Sequence, residues 1–217
     1  MKTPRPFASA QDAVPRKVLT GLAKLALALK SASWREAGPR ALTPTQGQIL
    51  AILNAKGDLR LGEVAADLGV KPATASVAVE ALAEKGLVSK RWSHADSRAL
   101  VIRLSAGGRR EAKRVATWPD FLLDAVASLS EAEQEVFLKA LIKMIRGLQE
   151  RGEISTARMC VGCRFFRPSV HADPERPHHC AFVDAAFGDG QLRLDCADFE
   201  AAAPEEAREN FLKWSNG

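Results

Sequence analysis

The chain has no cysteine before position 160 and no apolar run long enough to span a bilayer. It also lacks the short signatures of the common catalytic folds. G-x-S-x-G, the P-loop and G-x-G-x-x-G are missing, and Asp and Glu are scattered without an acid–base pair. An enzyme is therefore not expected. The first apolar stretch, Val18 to Leu29, is interrupted by Lys24 and is too short to cross a membrane. With no leader signature either, the expectation is a soluble, cytoplasmic protein with no membrane partner. There is no long internal repeat.

What is present is enough for one medium domain and a small appendage: 217 residues, 47% of them hydrophobic. The net charge of +5 conceals an asymmetry. Residues 1–152 hold 24 Lys and Arg against 15 Asp and Glu, whereas residues 153–217 hold 7 against 11. The segment 85–114 is especially basic, with 9 against 2. A cationic block within a folded domain suits a polyanion, because binding phosphates releases condensed counterions. It also suits an ordinary solvated surface.

The hydrophobic pattern predicts a mainly helical N-terminal part. Residues 1–12 read as a mobile arm. Val18, Leu22, Leu25 and Leu29 form a helical stripe within about residues 13–37, which Gly38-Pro39 stops. Thr43-Pro44 is a helix start, and Gly57 ends that helix. Two short helices follow, Leu61 to Leu68 and Pro72 to Lys85, separated by a turn at Gly69: the helix-turn-helix plan. After Gly86 the period changes. Residues 87–92 and 100–104 read as two strands of a hairpin around the polar Ser93 to Ser97, a wing directly after the helix pair. A long helix is then expected to run to about Ala127, bent at Trp118-Pro119. Ser130 and Glu133 form a capping box that opens a helix to about Arg151, with Val136, Leu138, Leu141, Ile145 and Leu148 mostly on one side.

The ordered motifs within this part resemble the MarR family of winged-helix transcription regulators. They are Leu42-Thr43-Pro44-Thr45-Gln46, Leu82-Ala83-Glu84-Lys85-Gly86-Leu87-Val88, Asp96-Ser97-Arg98 and Leu104-Ser105-Ala106-Gly107-Gly108. The resemblance covers about residues 10–150. It implies a homodimer joined through terminal helices, bound to double-stranded DNA at a pseudopalindromic operator. The apolar stripes of residues 14–33 and 120–148 fit either that dimer or an intramolecular core. On the recognition helix, small and hydroxyl side chains near the start, Ala73, Thr74, Ser76 and Val77, permit close approach to the major groove, and Lys71 sits where a phosphate contact is expected. In the wing, Arg98 is the candidate for minor-groove insertion and Asp96 for orienting it, with Lys90, Arg91 and His94 as backbone contacts.

From Gly152 onward the chain changes character: Gly152 to Arg158 reads as a linker, and residues 153–217 as an extension ending in a short helix from Pro204 to Trp214. All four cysteines lie here, in the pattern C-x2-C-x16-C-x15-C: Cys160, Cys163, Cys180 and Cys196. In a cytosolic protein such clustering points to a metal site or redox chemistry more than to disulfides. A segment with so little regular period would need a staple. Four thiolates can complete a zinc site or hold an iron–sulfur cluster. Only one close pair is present, and Phe165, Phe166, Phe182, Phe187 and Phe199 surround the ligands, which favours the iron–sulfur cluster. The spacing and Cys180-Ala181-Phe182-x4-Phe187-Gly188 resemble the cluster-binding end of high-potential iron–sulfur proteins. His178 and His179 are read as neighbours of the site, since four cysteines already fill it.

The expected architecture is thus a winged helix-turn-helix with long dimerisation helices and a small cysteine-rich metal-binding segment. The expected function is transcription regulation responsive to redox or to the cluster. The alternatives are a regulator with structural zinc and a small organic effector, and an iron–sulfur electron carrier or enzyme.

Overall fold

A computed structural model describes residues 13–35, 41–92, 100–155 and 157–216. Local signals set most element boundaries. Helix α1 spans Val14–Arg35. Helix α2, Pro44–Lys56, opens on a capping box: the Gln46 amide donates to Thr43 Oγ1 and the Thr43 amide donates to Gln46 Oε1, both at 3.2 Å. Lys85 Nζ donates to the same Gln46 oxygen at 2.9 Å, so this buried amide side chain is well satisfied. Helices α3 (Leu61–Asp67) and α4 (Pro72–Glu84) form the predicted pair. Gly86, at φ 67°, makes the left-handed turn from α4 into strand β2.

The sheet has one strand more than the hairpin. Strands β2 (Val88–Trp92) and β3 (Leu100–Leu104) pair antiparallel from Val88 opposite Leu104 to Trp92 opposite Leu100. Strand β1, Leu59–Arg60, adds to the other edge of β3, giving the order β1-β3-β2. The core beneath it gathers Leu50, Leu53, Val64, Leu82 and Ile102. Each such side chain contributes roughly 1.5–3 kcal/mol by leaving water.

The expected long helix after the wing is divided. Helix α5 covers Ala106–Ala116, a 3-10 turn covers Trp118–Leu122, and helix α6 covers Leu123–Ala127. The break has a steric cause on α2. A Cβ at Gly47 would lie 2.2 Å from the Trp118 ring, so the indole occupies the space that glycine leaves. Pro119 then removes the amide that a continuing helix would use.

Helix α7, Glu131–Glu150, belongs to a second core. Ile142 is buried there with Met159, Val161, Phe166, Leu192 and Trp214. The apolar stripe expected on α7 is therefore split: Leu138 and Ile145 face this core, while Val136 points outward and is exposed. The cysteine-rich segment contains a small antiparallel sheet that its sequence did not announce. Its strands are β4 (Phe166–Arg167), β5 (His178–Cys180) and β6 (Ala185–Phe187), in the order β4-β5-β6. Helix α8, Pro204–Ser215, closes the segment. Among the described residues, no helix is long and apolar enough to cross a membrane.

Candidate nucleic-acid interface and four-cysteine site

The first turn of α4 presents an open surface. Lys71 is its N-cap residue, Pro72 its first helical residue, and no side chain caps the helix. Lys71, Thr74 and Ser76 are exposed, and Val77 is 73% exposed. Next to this face, Arg91 is exposed on β2 and Trp92 is 65% exposed. Lys90 forms an ion pair with Glu80 of α4, which ties the hairpin to the helix and partly neutralises that lysine. His94, Asp96 and Arg98 lie outside the described residues.

Several members of the basic block 85–114 hold the domain together. Arg103 reaches Asp58 in the turn after α2, with Nε at 2.7 Å. Arg109 donates to the Leu104 carbonyl at 3.1 Å, and Arg114 pairs with Glu111 while its guanidinium lies 5.9 Å from the Trp118 ring centroid. The charge run read from the sequence thus mixes internal anchors with exposed cations such as Arg91 and Arg110.

The four cysteines come together. All are free thiols, and Cys160, Cys163, Cys180 and Cys196 line one cavity of about 210 Å³. Three local structures place them. Cys160 opens a 3-10 turn, and the Cys163 amide closes it on the Cys160 carbonyl at 2.9 Å. Cys180 ends β5, opposite Phe166 on β4. The Cys196 amide donates to the Arg158 carbonyl at 2.9 Å. Phe165, Phe166, Phe182 and Phe187 supply apolar wall.

The sulfurs have donors as well as walls. The Arg193 amide donates to Cys160 Sγ at 3.3 Å, and Arg193 Nη1 donates to Cys196 Sγ at 3.6 Å. Burial pushes the Cys160 thiol above its ordinary pKa; the Arg193 amide opposes this, and the other three cysteines add to it. A single zinc ion would require four sulfurs at about 2.3 Å from one point. Among the described residues, no three His, Cys, Asp or Glu side chains converge in that way. Four cysteines line this apolar cavity, and N–H donors are aimed at two of their sulfurs, the kind of donor set that a metal centre requires.

The two histidines have other engagements. His178 is 3% exposed; its Nδ1 accepts from the Ser169 amide at 3.1 Å and its Nε2 donates to Asp189 Oδ1 at 3.0 Å. Both ring nitrogens are thereby committed. His179 lies 3.2 Å from His171 through Nδ1 and 3.2 Å from Asp184 through Nε2. Asp189 is a hub that sequence reasoning missed: Trp214 Nε1 donates to it at 2.6 Å and Lys139 Nζ lies at 3.3 Å. Burial pushes its carboxyl up, but the hydrogen bonds from His178 and Trp214 and the charge of Lys139 outweigh this and hold it below the usual range. Arg158 and Arg193 were missed too. Only the nearness of Arg193 and Asp195 to Cys196 in the chain could have drawn attention to that loop.

Residues 42–100 match the model of the MarR family. No curated protein matches the chain. Among solved structures, a MarR protein from Peptoclostridium difficile superposes with a TM-score of 0.61 at 18% identity, covering 70% of this chain and 97% of that one. MepR of S. aureus, in a complex with DNA, gives 0.54 at 23% identity, over 60% of this chain and 97% of MepR. A probable transcriptional regulator from Pseudomonas aeruginosa gives 0.51 at 26% identity, over 61% of this chain and 99% of its own. Residues 42–100 are thus similar to the MarR family, within a winged helix-turn-helix fold that is joined to a cysteine-bearing segment outside those residues.

Proposed function

We propose that this protein is a homodimeric, DNA-binding transcription regulator of the cytoplasm whose four-cysteine segment holds an iron–sulfur cluster, and whose operator affinity depends on that cluster. The observation that supports the cofactor is the gathering of all four cysteines on one apolar cavity, with N–H donors on two of the sulfurs. Cys160, Cys163, Cys180 and Cys196 would be the ligands. The cluster would supply a centre that can be gained, lost or change its oxidation level. Arg193 orients donors to two of the ligands, and the phenylalanines exclude water.

The uncapped start of α4 supports DNA binding. Helix N-terminal amides favour a phosphate, and Lys71 beside them adds a cation. Thr74 and Ser76 would approach base edges, and the exposed Val77 suits contact with a thymine methyl. Arg91 and Lys90 would contact the backbone, with His94, Asp96 and Arg98 completing the wing. Helix α1 supports the dimer. It is 22 residues long, buries only Ala32, and exposes Val14, Leu19 and Leu27 to solvent. A two-fold pair would read a pseudopalindromic operator.

The test is anaerobic purification followed by iron, sulfide and zinc analysis and selection of duplexes from a random library. A brown protein with stoichiometric iron and sulfide is expected. Its affinity for the selected duplex should differ from that of chelator-stripped protein by about tenfold at fixed salt, a difference of only about 1.4 kcal/mol. A colourless protein with one zinc per chain would reject the cluster. Failure to enrich any duplex would reject DNA recognition.

A further inference from the structure

Arg158 joins the cysteine site to the helix-turn-helix. It follows α7 in the connection to the first cysteine and its side chain is 20% exposed. Its carbonyl accepts the Cys196 amide at 2.9 Å, and its Nε donates to Asp195 Oδ1 at 2.6 Å. The same guanidinium reaches the other way: Nη2 donates to the Ala55 carbonyl at 3.0 Å. Ala55 lies in the last turn of α2, where carbonyls have no partner within the helix.

The next residue carries the connection onward. Lys56 Nζ donates to both oxygens of Asp67, at 2.8 and 2.7 Å. Asp67 is the last residue of α3, the first helix of the pair that sets the angle of α4. The charge of Asp67 also acts on the Arg158 guanidinium. From a sulfur-bearing loop to the DNA-reading unit there is thus a short polar chain: Cys196 and Asp195, then Arg158, then Ala55 and Lys56, then Asp67.

We infer that Arg158 is the positioning residue through which the state of the four-cysteine centre is passed to the helix-turn-helix, an inference that rests on the function proposed above. A cluster fixes the Cys196 loop, and the loop fixes both the backbone and the guanidinium of Arg158. When the loop is released, the clamp on the end of α2 is released with it, and α3 loses a fixed neighbour. A coupling of this kind requires a differential contact between the two states, and the Ala55 hydrogen bond is one.

Arg158→Met keeps the length of the side chain and removes its donors. The experiment compares holo and chelator-stripped forms of the wild type and of Arg158→Met, on the duplex selected by the wild type, with iron and sulfide measured in each. Support is a wild-type ratio of about tenfold that falls to about twofold or less in the variant while its iron content is unchanged. A purely structural role would shift both forms of the variant equally and leave their ratio alone. A wild-type ratio of one refutes cluster sensing itself. A normal wild-type ratio that persists in the variant refutes the role of Arg158 and leaves sensing intact. Should the variant fail to retain iron, hydrogen exchange in the wild type decides: amides of residues 53–60 must exchange faster after the cluster is stripped, and unchanged exchange there overturns the inference.

Discussion

Replacing Asp189 by alanine should destabilise the cysteine-bearing segment severely, and the structure permits the size to be worked out. The carboxylate accepts from Trp214 Nε1 and His178 Nε2, on residues that are 1% and 3% exposed. Without it, both buried N–H groups lose their acceptor, at a cost of about 1–3 kcal/mol each. Lys139 is partly exposed, and its ion pair adds under about 1 kcal/mol. The expected loss is therefore about 2–6 kcal/mol, a large share of the roughly 5–15 kcal/mol that stabilises a typical domain. The assay is urea unfolding of wild type, Asp189→Ala, Trp214→Phe and the double variant. In the Trp214→Phe background one orphaned donor no longer exists, so Asp189→Ala should cost about 1–3 kcal/mol less there. The pH dependence has a definite sign. A carboxyl held below its ordinary pKa stabilises the fold above that ordinary value, and the contribution is lost as pH falls through the folded value. The gap between wild type and Asp189→Ala should be flat from pH 7 to about 5 and shrink below about pH 4. A loss under about 0.5 kcal/mol, or strict additivity of the two substitutions, would refute the hub.

Serine at any one of Cys160, Cys163, Cys180 or Cys196 should bleach the visible absorption and lower bound iron, while thermal unfolding of the winged helix moves little; retained colour in any variant would remove that residue from the ligand set. Gly47→Ala should force the Trp118 indole off α2, because the new methyl would lie 2.2–2.4 Å from its ring atoms; a cost of about 1–3 kcal/mol is expected in chemical unfolding. Lys71→Ala and Arg91→Ala should each reduce the slope of log affinity against log salt by about 1, equally on matched and mismatched duplexes. Val77→Ala should instead change sequence preference, seen as weaker discrimination at one base pair by competition binding.

The winged helix was legible because each of its boundaries has a local chemical cause. Thr43-Pro44 caps α2, Gly86 turns α4 into β2, and the hydrophobic period changes at that point. The division after α5 was legible only as a bend, since its cause, the vacancy at Gly47, lies some seventy residues earlier in the chain. The β4-β5-β6 sheet was not legible at all. Strands of two or three residues carry no readable alternation, and these exist because Phe166 and Trp214 anchor them on α7. At the site, spacing and composition singled out four cysteines, and these line one cavity. Their arrangement around a cavity depends on how one turn, one strand and one loop pack together, and no spacing rule encodes that. Arg158 and Asp189 were invisible for the same reason: the Arg158 side chain bridges partners 37 and 103 residues away.

Because Ile142 of α7 forms the floor on which Met159, Phe166 and Trp214 rest, the cysteine-bearing segment is not a detachable cassette. Grafted onto a foreign scaffold by its linker alone, it would arrive without that floor, and the walls of the thiol cavity would have nothing beneath them. The opposite face of α7, where Val136 and Met144 stay exposed, takes no part in that floor.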